Sequence, residues 1–338
     1  MTGDFKVKYK EQGIPIYNYT KIVSKDSLKP LNANFDKSKS DFQAYLKREN
    51  FDLVVCNTAK MLPYASFAIE MGISAISVIR ESSDEHIDLT FSKNTKIVEA
   101  SKNGLKNVKE VVFVSDVTRK TWQQRQWLPK TRVIHNGIIT DQWDYLRNTN
   151  KDELRQKLKL PTDKKVLLSV GTINGRKAQI DIVNAYQMLP DKVISESYLV
   201  LVGARESGYL SLFKQEIDKL PEYIQNNILL VPETDSVGEW YKASDIFVFS
   251  SHNESYPRVI VEALYFGLDI ISSEVFGVSE QVSTKESLFE IGNVSQLSLK
   301  LEEYILGNYP ALEPNDFYAL NSYDEMLAMY NSLMFGTV

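Results

Sequence analysis

The sequence has few features of secreted or membrane-embedded proteins. Its single cysteine, Cys56, allows no internal disulfide and lies in an apolar run, where we expect a buried thiol. No apolar run approaches the roughly 18 residues that a membrane-spanning helix needs, and residues 1–8 do not resemble the hydrophobic region of a signal peptide. We therefore expect a cytoplasmic protein that is at most peripheral on the inner face of a membrane.

The sequence is also poor in metal ligands and in phosphate-binding signatures. Its three histidines, His86, His135 and His252, are scattered singly, so we expect neither a metal nor another cofactor. It contains neither G-x-G-x-x-G nor G-x-x-x-x-G-K-[ST], and a nicotinamide site and a P-loop are therefore both poorly supported. The net charge of −5 argues against a general nucleic-acid binder.

One stretch, residues 101–135, is basic in an otherwise acidic chain. It carries eight lysines and arginines against Glu110 and Asp116, a local excess of six positive charges. The basic residues are Lys102, Lys106, Lys109, Arg119, Lys120, Arg125, Lys130 and Arg132. Two interpretations stay open: a solvated helix surface, or a surface that attracts anionic lipid headgroups or an acidic acceptor. Trp122 and Trp127 are typical of a core, but they would also suit contact with a membrane-bound acceptor.

The chain is long enough for two domains, and its pattern predicts an α/β fold. Short apolar runs bounded by turn residues alternate with helix-like stretches, as in the βα units of a parallel sheet. The predicted strands cover residues 14–17, 53–56, 75–79, 111–114, 132–135, 166–170, 199–203, 228–231, 246–250 and 269–272. The helices predicted between the first of these strands cover residues 41–48, 62–71 and 117–127. We expect domains at residues 1–145 and 160–315, followed by a segment, residues 316–338, whose amphipathic helix packs back on the first domain.

The strongest chemical signal is the stretch 254–262, with the sequence E-S-Y-P-R-V-I-V-E. Pro257 suits the first turn of a helix, so a helix is expected to begin near Tyr256, just after a predicted strand. The backbone N–H groups that would then lack intrahelical partners are those of Arg258, Val259 and Ile260. A helix start at the carboxyl edge of a parallel sheet favours the binding of a diphosphate.

Two carboxylates flank this predicted helix start. Carboxylates accept hydrogen bonds from vicinal hydroxyls, so Glu262 would suit a ribose and Glu254 a hexose on the far side of the phosphates. An alternative is equally open, in which one glutamate complements the helix dipole and the other is solvated.

A second cluster, G-T-I-N-G-R-K, follows the predicted strand at residues 166–170. The glycine-rich turn begins at Gly171, and the two cations Arg176 and Lys177 would meet phosphate oxygens at the same sheet edge. Taken alone, these cations are more typical of a solvated surface.

The order of these features resembles the retaining glycosyltransferases of family 4, which have the GT-B fold. Residues 113–115 and 133–138 look like the closing elements of that family's N-terminal domain, and residues 247–254 and 262–273 look like its most specific motif. The resemblance implies two Rossmann-like, doubly wound parallel-sheet domains that face a cleft. It also implies retaining transfer of a sugar from a UDP- or GDP-linked donor to a glycan, lipid-linked or protein acceptor, in the synthesis of bacterial surface polysaccharide or glycoconjugates, without a metal.

The resemblance also assigns roles to individual residues. Lys177, with Arg176 beside it, would neutralise the donor diphosphate, Glu254 would contact the transferred sugar, and Glu262 would bind the ribose. The other donor contacts that it implies are Gly171, Thr172, Ser255, Tyr256, Pro257, Arg258, Val259, Val231 and Pro232.

The sequence departs from the family pattern at three places. Thr172 stands where the family usually has an arginine, and Arg80 and Glu81 stand where it has a histidine, so either of the latter two is expected to replace that histidine. The family's opening βα units have no counterpart at the start of the chain, which predicts a missing upstream segment or a partner chain. Two alternative functions follow: another GT-B enzyme, such as an epimerase or a phosphorylase, or a donor-binding subunit without activity of its own.

Overall fold

The computed structural model describes residues 31, 34–82, 94–124, 128–282, 285–309 and 322–335. In these ranges ten strands form two sheets, one of four strands in the order β1-β2-β3-β4 and one of six in the order β10-β9-β8-β5-β6-β7. The strands are β1 Leu53–Asn57, β2 Ser74–Ile79, β3 Glu110–Phe113, β4 Thr131–Val133, β5 Lys165–Val170, β6 Ser197–Ala204, β7 Ile228–Pro232, β8 Ile246–Phe249, β9 Asp269–Ser273 and β10 Leu288–Phe289. The predicted α/β class is confirmed.

Helices connect the strands. They are α1 Phe35–Glu49, α2 Leu62–Ile69, α3 Thr95–Asn107, α4 Asp116–Gln123, α5 Lys151–Leu158, α6 Gln179–Gln187, α7 Asp191–Ser195, α8 Gly208–Asp218, α9 Glu222–Gln225, α10 Val237–Ala243, α11 Arg258–Tyr265, α12 Val294–Ile305 and α13 Tyr323–Phe335. Short 3₁₀ turns lie at Ala59–Met61, Asp141–Leu146, Val278–Glu280 and Lys285–Ser287.

Most of the predicted elements are present with small shifts at their ends. Nine predicted strands match β1 to β9 within two residues at either end, whereas the tenth, at residues 14–17, lies outside the described residues. The helix predicted at residues 41–48 is longer, because Asn34 caps it through a hydrogen bond from the N–H of Lys37. The helices predicted at residues 62–71 and 117–127 are α2 and α4, and residues 125–127 lie outside the described part.

The six-stranded sheet is parallel throughout, and its central strands are buried on both faces. Along β5, Val166 and Leu168 belong to one hydrophobic cluster and Leu167 to another, as the two-residue period of a strand requires. Since helices cover both faces, its strands read as continuous apolar runs, which is why the sequence predicted them well.

By their internal contacts, the described residues form two compact units. One comprises residues 31–79, 94–112 and 128–132, and the other comprises residues 80–82, 113–124 and those described from 133 onward. This division follows contacts rather than the two sheets, and the domain bounds expected from the sequence stay a prediction. In the second unit, α13 contacts the segment after β4, where the N–H of Gly137 donates to Sδ of Met326 at 3.2 Å.

The basic stretch is partly neutralised by nearby carboxylates. Arg119 and Lys120 pair with Asp116, and Lys130 and Arg132 pair with Glu110. Trp122 is fully buried against Phe113 and therefore belongs to a core, whereas Trp127 and Arg125 lie outside the described residues.

No helix in the described ranges is long and apolar enough to span a bilayer.

Candidate active site

Two loops meet at the carboxyl edge of the six-stranded sheet. One connects β5 to α6, the other connects β8 to α11, and β5 and β8 are neighbours in the sheet although the chain passes through β6 and β7 between them. The strand order therefore reverses between β5 and β8, and open parallel sheets bind ligands at the carboxyl ends of the strands where such a reversal occurs. The reversal brings together the two clusters predicted from the sequence, about 80 residues apart along the chain.

The loop after β5 is shaped by close backbone packing. Gly171 has φ of +146°, and on the adjacent strand Gly203 has φ of +121°. A Cβ atom added to Gly203 would lie 2.3 Å from the carbonyl oxygen of Gly171, so only glycine allows this approach. The side chain of Gln179 donates to the same carbonyl oxygen at 3.0 Å, and Oδ1 of Asn174 accepts from the N–H groups of the two residues after Gly175 at 3.0 Å each.

Serine side chains join this loop to the loop after β8. Oγ of Ser250 donates to the carbonyl of Ala178 at 2.8 Å, and Oγ of Ser251 donates to the carbonyl of Arg176 at 3.0 Å. The N–H of His252 donates to the same carbonyl of Arg176 at 2.9 Å. The two loops therefore form one platform, which sequence reasoning did not identify because its contacts involve backbone carbonyls rather than a motif.

The three residues predicted to contact the donor diphosphate and the transferred sugar lie together on this platform. Nζ of Lys177 lies 2.7 Å from Oε1 of Glu254, and the guanidinium of Arg176 pairs with the same oxygen. The side chains of Lys177 and Glu254 are only 16% and 17% exposed, so their attraction is screened less than that of a surface pair. The Lys177 ammonium also lies over the ring of Phe249, 5.2 Å from its centroid.

Helix α11 begins two residues later than predicted. Pro257 precedes the helix as its N-cap with an extended ψ of 119°, and the first helical residue is Arg258, not a residue near Tyr256. The carbonyl of Pro257 accepts from the N–H of Ile260 at 3.3 Å, so the expectation that this N–H lacks a partner was wrong. In the described part of the chain, the N–H groups of Arg258 and Val259 are left without a hydrogen-bond partner.

Glu262 lies one turn into α11, and burial shapes its chemistry. Burial raises the pKa of this carboxyl above its ordinary value, while a hydrogen bond from Tyr241 and the positive charges of Arg258 and Lys177 act in the opposite direction. The hydroxyl of Tyr241 lies 2.9 Å from Oε2 of Glu262.

A cavity of about 300 Å³ is bounded by these groups. Eight predicted site residues line it, namely Lys177, Glu254, Ser255, Tyr256, Pro257, Arg258, Val259 and Glu262. It is also lined by Val114, Asn136 and Arg80. Of these three, only Arg80 was predicted from the sequence as a residue of the site. Five predicted residues do not line it: Gly171, Thr172, Arg176, Val231 and Pro232. Of these, Thr172 donates to the Glu233 carboxylate at 2.8 Å, Val231 is buried at the end of β7, and Pro232 is exposed.

Arg80 and Glu81 differ in their relation to the cavity. The guanidinium of Arg80 donates to Oδ1 of Asn136 at 2.7 Å, and the carbonyl of Arg80 accepts from Oγ of Ser255 at 2.7 Å. The carboxylate of Glu81 accepts from the backbone N–H of Arg80 at 3.0 Å and does not line the cavity.

A brace that the sequence did not reveal supports the turn before α11. The side chain of Gln281 donates to the carbonyl of Pro257 at 3.0 Å, and Nδ2 of Asn136 donates to the carbonyl of Tyr256 at 2.9 Å. The ring of His135 stacks on Tyr256 with centroids 4.6 Å apart and an angle of 6°. Each contact fixes the backbone that carries the N–H groups of α11.

Glu280 completes the brace. It accepts from Nε2 of His135 at 3.1 Å and from the N–H groups of Asp116 and Val117 at the start of α4 at 2.9 and 2.7 Å. Burial opposes the charge of Glu280, but these hydrogen bonds prevail and lower its pKa. The lowered pKa means that this carboxylate stabilises the fold above its unfolded pKa, and that the stabilisation is lost as the pH falls through the folded value.

Gly277 offers a test of how tightly this brace is built. It has φ of +70°, and an added Cβ would lie 1.8 Å from the carbonyl oxygen of Ser255, whereas Gly267 has φ of +73° with no atom within 4 Å of its added Cβ. We expect Gly267→Ala to cost about 1–2 kcal/mol of unfolding free energy, the strain of a left-handed alanine. We expect Gly277→Ala to cost more, because the Ser255 carbonyl must move as well.

Urea unfolding of the two variants would measure both costs. Gly267→Ala serves as the matched control, since it changes the same residue type at a nearly equal φ. Equal losses of stability in the two variants would contradict the tight packing of the brace.

Known proteins resemble this chain in sequence. Residues 150–317 match the family model described as Glycosyl transferases group 1. An uncharacterized glycosyltransferase of Haemophilus influenzae is 26% identical over 265 residues, which cover 77% of this chain and 67% of that protein. The lipopolysaccharide 1,2-N-acetylglucosaminetransferase of Salmonella typhimurium is 25% identical over 182 residues, which cover 52% of this chain and 47% of that protein. The chain thus spans about two thirds of the first relative's length and about half of the second's.

Solved structures resemble it in fold. HepE of Anabaena, crystallised in complex with UDP, superposes with a TM-score of 0.77 at 19% identity, over 100% of this chain and 90% of that one. WaaG, a glycosyltransferase involved in lipopolysaccharide biosynthesis, gives a TM-score of 0.66 at 17% identity, over 96% and 86% of the two chains. Residues 150–317, which contain the six-stranded sheet and both loops of the platform, therefore match the Glycosyl transferases group 1 family, and the fold of the chain is GT-B.

Proposed function

We propose that this chain is a glycosyltransferase that binds a nucleoside diphosphate sugar in the cavity bounded by Lys177, Glu254 and Glu262. The observation that carries the proposal is the convergence of a cation, two carboxylates and the N–H groups at the start of α11 on one cavity. Cations and helix N–H groups suit a diphosphate, and carboxylates suit the hydroxyls on either side of it. The match to this family supports glycosyl transfer as the reaction.

In the proposed reaction, the protein acts mainly through charge and position. The bond between the sugar's anomeric carbon and the diphosphate oxygen breaks, and the negative charge that develops on this oxygen is stabilised by Lys177, Arg176 and the start of α11. An acceptor hydroxyl forms the new bond on the same face of the sugar, and its proton passes to the departing phosphate. Anomeric configuration is thereby retained. We expect no metal or cofactor to take part.

The donor is proposed to carry uridine. HepE was crystallised with UDP and with UDP-glucose, and its fold covers all of this chain. A GDP-linked donor is the alternative, and the end of β7, at Val231 and Pro232, is where we expect the base to lie. Gly171 and Thr172 would approach the diphosphate from the loop after β5.

The acceptor is proposed to be a glycan or a lipid-linked sugar in polysaccharide or glycoconjugate synthesis. The Salmonella relative is named for lipopolysaccharide and WaaG for lipopolysaccharide biosynthesis, which supports this class. Of the two residues considered in place of the family's histidine, Arg80 is proposed to contact the sugar or the acceptor, because it lines the cavity and Glu81 does not. Peripheral membrane contact through residues 101–135 stays part of this proposal.

A nucleotide panel tests the donor site. We expect UDP and UDP-sugars to raise the melting temperature more than GDP, ADP or CMP, since a ligand at about 100 times its Kd stabilises a protein by about 2.7 kcal/mol. Liberation of UDP from the stabilising UDP-sugar, with a glycan or lipid-linked acceptor present, would then show transfer. Stabilisation by none of these nucleotides would contradict the proposal. Binding without transfer would favour a donor-binding subunit instead.

A further inference from the structure

Tyr241 is a buried side chain whose only polar atom is directed at the donor site. It lies on α10, has no exposed surface, and its hydroxyl lies 2.9 Å from Oε2 of Glu262 and 3.4 Å from the carbonyl of Val259. Its ring lies parallel to that of Phe266, with centroids 5.6 Å apart, and also packs on Phe247 at 5.8 Å. Because aromatic rings hold it on two sides, the position of the hydroxyl is fixed.

The direction of the hydrogen bond follows from the chemistry of the pair. Burial raises the pKa of Tyr241 well above its ordinary value, and the charge of Glu262 adds to this, so the phenol keeps its proton. The phenol therefore donates and the Glu262 carboxylate accepts. The titratable groups that face Glu262 are Tyr241 from α10, Arg258 from α11 and Lys177 from the loop after β5.

We propose that Tyr241 is a positioning residue for the donor's ribose. Its hydroxyl donates a hydrogen bond to Oε2 of Glu262 and so holds the carboxylate as an anion, with Oε1 available to the ribose hydroxyls. This inference rests on the proposed function and names how one part of that site is prepared. Charge-assisted hydrogen bonds are stronger than neutral ones, so an ionised and oriented carboxylate binds a ribose hydroxyl more tightly than a protonated carboxyl does.

Tyr241→Phe removes one oxygen atom and leaves the ring in place. Glu262 then loses a hydrogen bond that opposes the effect of burial, and its pKa rises further. Because a protonated carboxyl accepts ribose hydrogen bonds poorly, the variant should lose its recognition of the ribose, and it should do so at a higher pH than the wild-type protein.

The test is calorimetric titration of the full chain with UDP, 2′-deoxy-UDP and 3′-deoxy-UDP between pH 6 and pH 8.5. For the wild-type protein we expect UDP to bind about tenfold tighter than at least one deoxy nucleotide across this range. For Tyr241→Phe we expect this ratio to fall to about two, and to be smaller at pH 6 than at pH 8.5. Tyr186→Phe is the matched control, since Tyr186 is also fully buried, with its hydroxyl 3.0 Å from Ser197, and it lies outside the cavity.

The outcomes separate this inference from the proposed function. Absence of UDP binding by the wild-type protein would contradict the proposed function itself. UDP binding with an unchanged ratio in Tyr241→Phe would overturn only the role of Tyr241. Equal affinity of the wild-type protein for all three nucleotides would overturn both the role of Tyr241 and the ribose contact of Glu262, but not the binding of the diphosphate. The wild-type pH series keeps the inference testable even if Tyr241→Phe does not fold. The inference would also be overturned if the wild-type protein lost its preference for UDP over the deoxy nucleotides as the pH falls from 8 to 7.

Discussion

Replacement of Lys177 by alanine is expected to lower kcat for sugar transfer by about 10²- to 10³-fold, the usual cost of removing one group that stabilises developing charge. Lys177 is the cation that lines the cavity at the platform, and its ammonium is mostly buried. In such a position its charge is expected to act strongly on the departing diphosphate of the proposed reaction, whereas Arg176, the other cation that pairs with Glu254, is half exposed and more screened.

Steady-state kinetics with the donor identified by the nucleotide panel would measure this effect. Lys192→Ala is a suitable control, because Lys192 is an exposed lysine on α7 away from the cavity. We expect that control to keep its full rate, and unfolding measurements should show that Lys177→Ala is folded. A loss of less than about fivefold in kcat would show that Lys177 does not stabilise the leaving group.

Replacement of Glu254 by glutamine is expected to move binding and catalysis in opposite directions. One oxygen of Glu254 pairs with both Lys177 and Arg176, so a diphosphate must compete with this carboxylate for the two cations. Glutamine is nearly isosteric but uncharged, and UDP should therefore bind about three- to tenfold tighter. Sugar transfer should fall by about a hundredfold or more, because the carboxylate proposed to hold the transferred sugar is lost.

Titration with UDP and single-turnover assays with the UDP-sugar would measure the two effects separately. Glu216→Gln is the matched control, since Glu216 is an exposed glutamate on α8 that pairs with Lys219 and does not line the cavity. Parallel losses of UDP affinity and of rate in Glu254→Gln would contradict the competition between the carboxylate and the diphosphate.

The sequence predicted the parts of this site that depend on strands and on local motifs. The strands β5 and β8 are continuous apolar runs, which makes them easy to predict. In a parallel sheet the residues that follow both strands lie at the same edge, so their proximity can be predicted without knowing any distance. Lys177 and Glu254 could therefore be predicted to share a site, and the structure places them 2.7 Å apart. Their roles in transfer stay predictions.

Other parts of the site depend on contacts that leave no pattern in a single sequence. Tyr241 reaches Glu262 from a different helix, and Glu280 joins His135 to the start of α4 over 145 residues of chain. The start of α11 was misplaced for a local reason, because a proline may either begin a helix or precede it, and ψ at Pro257 decides between the two. Only packing around that turn, including Gly277, selects the second.

The platform contacts have a consequence for how the site can change. The serines after β8 bind the backbone carbonyls of Arg176 and Ala178, and none of these bonds uses the side chain of Arg176 or Lys177. At position 177 the scaffold and the reactive group are thus specified by separate atoms, whereas the guanidinium of Arg176 also donates to the carbonyl of Asn253 at 2.8 Å. A substitution at position 177 can therefore change the charge while the platform keeps its shape, so a change in rate at that position reports on the charge and not on the scaffold.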